Sequence, residues 1–275
     1  LEKPFGAGTF VKAAYSYGVA RNTVDPGSVA FGSWSGNAHS GDPNNPGVGY
    51  ASTSPGHRFF VSASVRKNLV KLGATTASVF WEARTIGNAS YTFSGDLNSD
   101  GGNANDLIYI PRDRSEMNFQ TYTQAGVTFT REQQEEAWEA YIQQDEYLRS
   151  NRGKYAERNA TFLPMFNRAD FSVAQEVASN LFGRRNGLEV RLDFLNFGNV
   201  LNNRWGVSQR FVAGTFSTPV NIQPLLSQGA DTQGRALYRL RNVGTPPRLV
   251  TTSLEQTAAI TDVYRVLLGV RFNFN

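Results

Sequence analysis

Six stretches of this chain alternate apolar and polar residues with a period of two. A period of two puts successive side chains on opposite faces of a strand, whereas a helix repeats every 3.6 residues. In residues 8–20, Val11, Ala13, Tyr15, Tyr17 and Val19 share one face. Phe59, Val61, Ala63 and Val65 do so in 57–67, and Ala77, Val79, Trp81 and Ala83 in 74–84. In 168–177 the row is Ala169, Phe171, Val173 and Val177, and in 187–194 it is Leu188, Val190, Leu192 and Phe194. The last stretch, ITDVYRVLLGVRFNFN at 260–275, sets Tyr264, Val266, Leu268, Val270, Phe272 and Phe274 against Arg265, Leu267, Gly269, Arg271 and Asn273. Two weaker segments, 205–213 and 235–243, bring the expected strand count to about eight.

Composition agrees with an all-β chain that carries long polar connections: 40% of residues are hydrophobic, 18% charged and 12% aromatic. With no cysteine, disulfide staples and thiolate metal sites are excluded. The 27 basic and 23 acidic residues are unclustered, so nucleic acid is not an expected partner. No run approaches the ~20 apolar residues of a membrane-spanning helix. Residues 1–20 also lack the charged start and apolar middle of a signal peptide. Strands, however, cross bilayers on ~10 alternating residues, which hydropathy averages scarcely register.

A soluble sandwich would alternate too. Two features favour a transmembrane barrel instead. The polar faces mix small residues with opposite charges, such as Arg58, Arg66, Glu82, Arg84, Arg168, Asp170, Glu176, Glu189, Arg191, Asp193, Arg265 and Arg271, as a wet lumen would. These charges either pair with one another across strands or contact a stopper inside the bore. Connections also take turns between long (21–56, 95–166) and short (67–73, 178–186), as they do between the two sides of an outer membrane. A tight link at Asn202-Asn203 breaks the rhythm.

The longest connection contains a predicted helix, 130–149, with Thr130 as N-cap and Gln133 as its capping-box partner. Its apolar stripe of Trp138, Tyr141, Ile142 and Leu148 is expected to pack on neighbouring loops. Ahead of it, DLNSDG places Asp96, Asn98 and Asp100 at alternate positions before Gly101, with Asp106 following. That is the donor spacing of a Ca²⁺ loop, although the twelfth position, where an EF-hand has its bidentate acid, is Leu107. The same residues also suit a hydrogen-bonded Asx loop without metal. His39 and His57 are read as structural: neither has sequence neighbours suited to a triad or a zinc site. No catalytic residue is identified, and the chain is not expected to be an enzyme.

Several segments together resemble the C-terminal barrel of TonB-dependent outer-membrane receptors, nearest the Oar-like branch: LGVRFNF at the end, DFLNFGNVLNNRWGVSQ (193–209), NRADFSVAQEV, GHRFFVSASVRK (56–67) and FSGDLNSDGGNANDLIYIPRD (93–113). The resemblance implies that 1–275 is the C-terminal portion of a transmembrane barrel of about twenty-two strands, a single domain whose plug lies outside this sequence. It implies residence in a bacterial outer membrane and energy-coupled uptake of a scarce, large extracellular ligand. The implied partners are outer-membrane lipid, a TonB-type energy-coupling protein reached through the missing N-terminal region, and the barrel-assembly machinery. Family chains usually finish on an aromatic residue, whereas here Phe274 is penultimate. The alternatives are a complete eight-stranded outer-membrane barrel acting as an anchor or adhesin, which requires the last strand to pair back with 8–20, and a membrane hydrolase, which requires Ser, His and Asp clustered at a rim.

Overall fold

The computed structural model describes residues 2–6, 8–27, 29–181, 186–215 and 219–274. The chain is all-β with few helices, and its sheets are almost wholly antiparallel. The largest sheet has seven strands. They are β1 (Glu2–Pro4), β2 (Thr9–Gly18), β3 (Gly56–Val70), β4 (Gly73–Arg84), then β7 (Phe166–Leu181), β8 (Asn186–Leu195) and β11 (Arg265–Asn273), hydrogen-bonded in chain order. Four further strands lie inside the connections: β5 (Asn88–Ser94), β6 (Thr161–Phe162), β9 (Val220–Ala230) and β10 (Ala236–Leu240) form one sheet of their own. Among the described residues, no helix is long and apolar enough to cross a membrane, which says nothing about strands.

Antiparallel register turns the alternation of each strand into rows that run across the sheet. Val11, Ala63, Val79, Phe171, Phe194 and Val266 stand opposite one another in succession, and the adjacent row reads Thr9, Val65, Ala77, Val173, Leu192 and Leu268. A slip of one residue in any pair would break both rows, because it would turn that strand over. This apolar face is not packed against a second layer: Val79 is 40% exposed, Leu268 72% and Val270 68%. On the opposite face, charges pair with one another. Arg58 Nε donates to Glu82 Oε1 at 2.7 Å, and Arg66 pairs with Glu176. Arg168 reaches Asp170 at 2.9 Å and Arg191 reaches Asp193 at 2.7 Å, each within its own strand.

Connections at one end of the sheet are short: 5–8, 71–72 and 182–185, the last outside the described residues. At the other end all three are long, 19–55, 85–165 and 196–264. Two sequence expectations are corrected here. The segments 205–213 and 235–243 are not strands of the large sheet. They contribute only Gln209–Phe211, β10 and Asn242–Val243 to small sheets built from the second and third long connections, so among the described residues the large sheet has seven strands and not eight. The link at Asn202-Asn203 lies in that same connection, and the alternation of long and short therefore holds throughout.

The hydrophobic core lies in the connections. Tyr91, Ile108, Ile110, Trp138, Tyr141, Ile222, Leu225 and Leu240 form one buried cluster that, among the described residues, contains none from the seven-stranded sheet. At its centre β5 pairs in parallel with β9, which pairs antiparallel with β10. Helix α1 (Arg131–Gln144) packs against this group and begins with the expected capping box, Thr130 Oγ1 accepting from Gln133 N and Gln133 Oε1 from Thr130 N. The predicted single helix stops at Asp145, whose side chain caps a second short helix, Glu146–Ser150. Trp138, Tyr141, Ile142 and Leu148 are all 0% exposed, in line with the expected packing role.

Candidate metal centre

Three non-neighbouring segments meet beside β5. Phe93 N donates to Asp106 O and Ile108 N to Tyr91 O, which lays 105–108 along the strand. On the other side of that segment, His39 N donates to Asn105 O at 2.8 Å and Leu107 N to His39 O at 2.9 Å. Backbone pairing thus fixes His39, from the first long connection, next to Asn105 and Asp106, from the second. Gly95 and Gly101, at φ +96° and +90°, let the intervening loop double back, as left-handed glycine does without a Cβ clash.

Inside this frame the side chains of His39, Asp100 and Asp106 present ligand atoms that all lie within 4.8 Å of one another. His39 is 1% exposed and Asp106 5%. His39 Nε2 lies 3.0 Å from Asp100 Oδ2. Gly41 N donates to His39 Nδ1 at 3.2 Å, which favours the tautomer protonated on Nε2, the nitrogen that faces Asp100 Oδ2 and lies 3.2 Å from Asn105 Nδ2. Asn105 Nδ2 donates to both Asp100 oxygens at 3.2 and 3.1 Å, while Asn105 Oδ1 is buried without a donor. Gly102 is required: a Cβ there would lie 2.2 Å from Asn105 Nδ2.

The four residues singled out in the sequence fall in one loop with different partners. Asp96 accepts from Ser99 N at 2.6 Å and Gly101 N at 2.9 Å. Asn98 Oδ1 accepts from Asp100 N at 3.0 Å, and Asp100 Oδ1 from Gly102 N at 2.8 Å. Asp106 Oδ2 accepts from Leu97 N at 2.8 Å. Burial raises the Asp106 carboxyl above its ordinary range against the Leu97 N–H, and the charges of Asp100 and Asp96 push the same way. For Asp100 burial also acts upward, but hydrogen bonds from Gly102, Asn105, Asn98 and His39 outweigh it and hold the carboxyl low.

Folding brings His39 beside two carboxylates that its sequence neighbours do not supply. Its partner Asp100 is 61 residues away in sequence, and only the backbone pairing through Asn105 and Leu107 brings the two together. His57 has no such company among the described residues: its ring lies 4.5 Å from that of Tyr17 at a tilt of 32°, and Nδ1 is 3.0 Å from Tyr15 Oη.

A second polar feature lies nearby, a cavity of about 540 Å³ whose wall includes Asp25, Asn37, Ser90, Arg158, Asn159 and Asn221. The Arg158 guanidinium donates to Asn37 Oδ1 at 3.0 Å and to Asn22 Oδ1 at 2.8 Å, and lies 3.7 Å from Asp25. Burial lowers its pKa against the pull of Asp25. Comparison of the chain with family models, curated proteins and solved structures finds no match.

Proposed function

We propose that this chain is part of the barrel of a TonB-dependent outer-membrane transporter, with its apolar rows against lipid and its ionic rows facing a watery bore. The three long connections form the extracellular domain that receives a scarce, large ligand. Uptake is then coupled to the inner membrane through a plug and a TonB-type protein, and no bond in the ligand is made or broken.

The observation that carries the reading is the exposure of a continuous apolar face six strands wide, typified by Leu268 at 72% and Val270 at 68%. In water such a face would be an aggregation surface, because exposed apolar patches on soluble monomers rarely exceed a few hundred Å². In hydrocarbon it is the solvated side. The six longer strands run from 9 to 16 residues, enough to span a bilayer at ordinary barrel tilt, which takes about 9–11. Connections that are short at one end and long at the other add support.

Among the described residues, β11 pairs only with β8, and β2 only with β1 and β3. That pattern favours a segment of a larger barrel over a small barrel closed by its own last strand, since lipid cannot satisfy an open edge.

Cysteine labelling tests the reading, because the native chain has no cysteine. Val79→Cys, Val190→Cys and Leu268→Cys are expected to resist a water-soluble maleimide in intact outer membranes. Lys154→Cys, in the long-connection domain, is expected to react on whole cells. Equal reaction at all four positions would overturn the proposal.

A further inference from the structure

We propose that Arg239 and Arg241 together hold an oxyanion, the carboxylate or phosphate group of a ligand, in a cavity between the second and third long connections. This site lies wholly within the connections and does not depend on what covers the apolar face of the large sheet.

The stretch ALYRLRN, 236–242, alternates as a strand does. Tyr238 and Leu240 go into the core at 8% and 0% exposure, and the same period leaves Arg239 and Arg241 half-buried on the other side. There they line a cavity of about 170 Å³ together with Tyr122, Gln124 and Asn242. Tyr122 and Gln124 belong to the hairpin 122–129, which polar contacts fix in place. Tyr122 Oη donates to Leu240 O at 2.9 Å, and Asn242 Nδ2 donates to Tyr122 Oη at 3.1 Å and to Gln124 Oε1 at 2.8 Å.

Two observations point to an anion. The first is charge: the wall holds two guanidinium groups and no carboxylate. Among the described residues neither arginine has an ion pair, whereas elsewhere in the same connections Arg131 meets Glu135 and Arg210 meets Glu255, each at 2.7 Å. Burial lowers the Arg241 pKa with no opposing charge, while at Arg158 the carboxylate of Asp25 pulls the other way. Two like charges in a half-buried place are costly until a counter-charge joins them.

The second observation is unused donors. The Arg239 guanidinium lies over the Tyr122 ring at 5.1 Å, which orients it, yet among the described residues it makes no hydrogen bond, and its buried Nε has no acceptor. Arg241 uses Nε on Gln223 O at 2.7 Å and leaves both Nη groups unbonded. A guanidinium is a planar fork whose N–H groups match the paired oxygens of a carboxylate or phosphate. A neutral ligand would satisfy the donors but leave both charges uncompensated.

The test is calorimetric titration of the full chain in a non-ionic detergent with sodium phosphate and, separately, sodium acetate, at an ionic strength held constant with sodium chloride. One equivalent of at least one anion is expected to bind saturably, with Kd on the order of 1 mM, and the tighter of the two names the group. Arg239→Gln removes no hydrogen bond within the protein and should weaken binding at least tenfold, as loss of a charge-assisted pair does. Arg239→Glu is the complementary variant. It sets a carboxylate beside Arg241 and should abolish binding while the thermal unfolding midpoint stays at or above the native one, which a damaged fold cannot do. Absence of saturable binding of either anion overturns the proposal, as does affinity unchanged in Arg239→Gln and Arg239→Glu. The membrane reading stands or falls separately, on the cysteine labelling.

Discussion

Val79 and Phe171 stand directly opposite each other in β4 and β7, and the row they belong to continues through Phe194 to Val266 on a face that no second layer covers. If that face meets lipid, a charge in its middle is costly. Val79→Arg should destabilise the folded protein in a bilayer by about 2–4 kcal/mol. Ser78→Arg, one residue away on the ionic face, should stay within about 1 kcal/mol. Urea unfolding in lipid vesicles, followed by tryptophan fluorescence, measures both. Similar small effects for the two variants would place both faces in water.

On the ionic face Arg58 reaches Glu82 across adjacent strands at 2.7 Å, and Arg84 lies 3.6 Å from the same carboxylate. The Arg58 side chain is 57% exposed, so the pair works in a high-dielectric setting. A double-mutant cycle with Arg58→Met and Glu82→Gln is expected to give a coupling of about 0.2–1 kcal/mol. It should shrink further at ~1 M salt, where the Debye length is about 3 Å. A coupling well above this range that ignores salt would mean the bore is dry.

The large sheet was legible because each strand has two unlike environments, and a period of two records that difference residue by residue. β5 left no such record. Residues Asn88 to Phe93 are all buried, on both faces, so NASYTFS shows no alternation to read. In β9, Ile222 and Leu225 are buried three residues apart across a register shift, which blurs the period again. The error at 205–213 and 235–243 had the opposite origin: short alternating runs also occur where a strand has one side on a compact core. Of the cluster around His39, Asp100 and Asp106, the acidic loop was legible, because Asp96, Asn98 and Asp100 sit within one turn. His39 could not, since a non-local backbone pairing places it.

Trp138 anchors the long-connection domain: it is 0% exposed and stacks on Tyr141 at 5.1 Å. Trp138→Ala should cost that domain about 3–5 kcal/mol. The loss should be local, because the core cluster contains no residue of the large sheet. Hydrogen exchange is expected to show lost protection at Tyr91 and Ile108 with little change at Val79 and Leu192. Loss of protection spread evenly through the sheet would show that the two parts fold as one cooperative unit.

The turn that leads into β11 depends on one carboxylate. Asp262 accepts from Ser208 N at 3.1 Å, Ser208 Oγ at 2.6 Å, Thr257 Oγ1 at 2.6 Å and Ala259 N at 2.7 Å. Burial pushes its pKa up, but those four bonds favour the charged form and hold it below the ordinary value. A depressed folded-state pKa stabilises the fold above the unfolded value of about 3.9, and that contribution is lost as pH falls through the folded value. Asp262→Asn should therefore destabilise the protein at pH 7 by about 1–3 kcal/mol, since an amide has one acceptor oxygen where the carboxylate has two. As pH falls through the lowered folded value the native carboxyl itself protonates, and the difference between native and variant should narrow. Unfolding midpoints in denaturant, followed from pH 7 downward until the native protein loses stability, measure it, and a gap of constant size throughout would mean that the hydroxyl and amide donors hold Asp262 equally well without its charge.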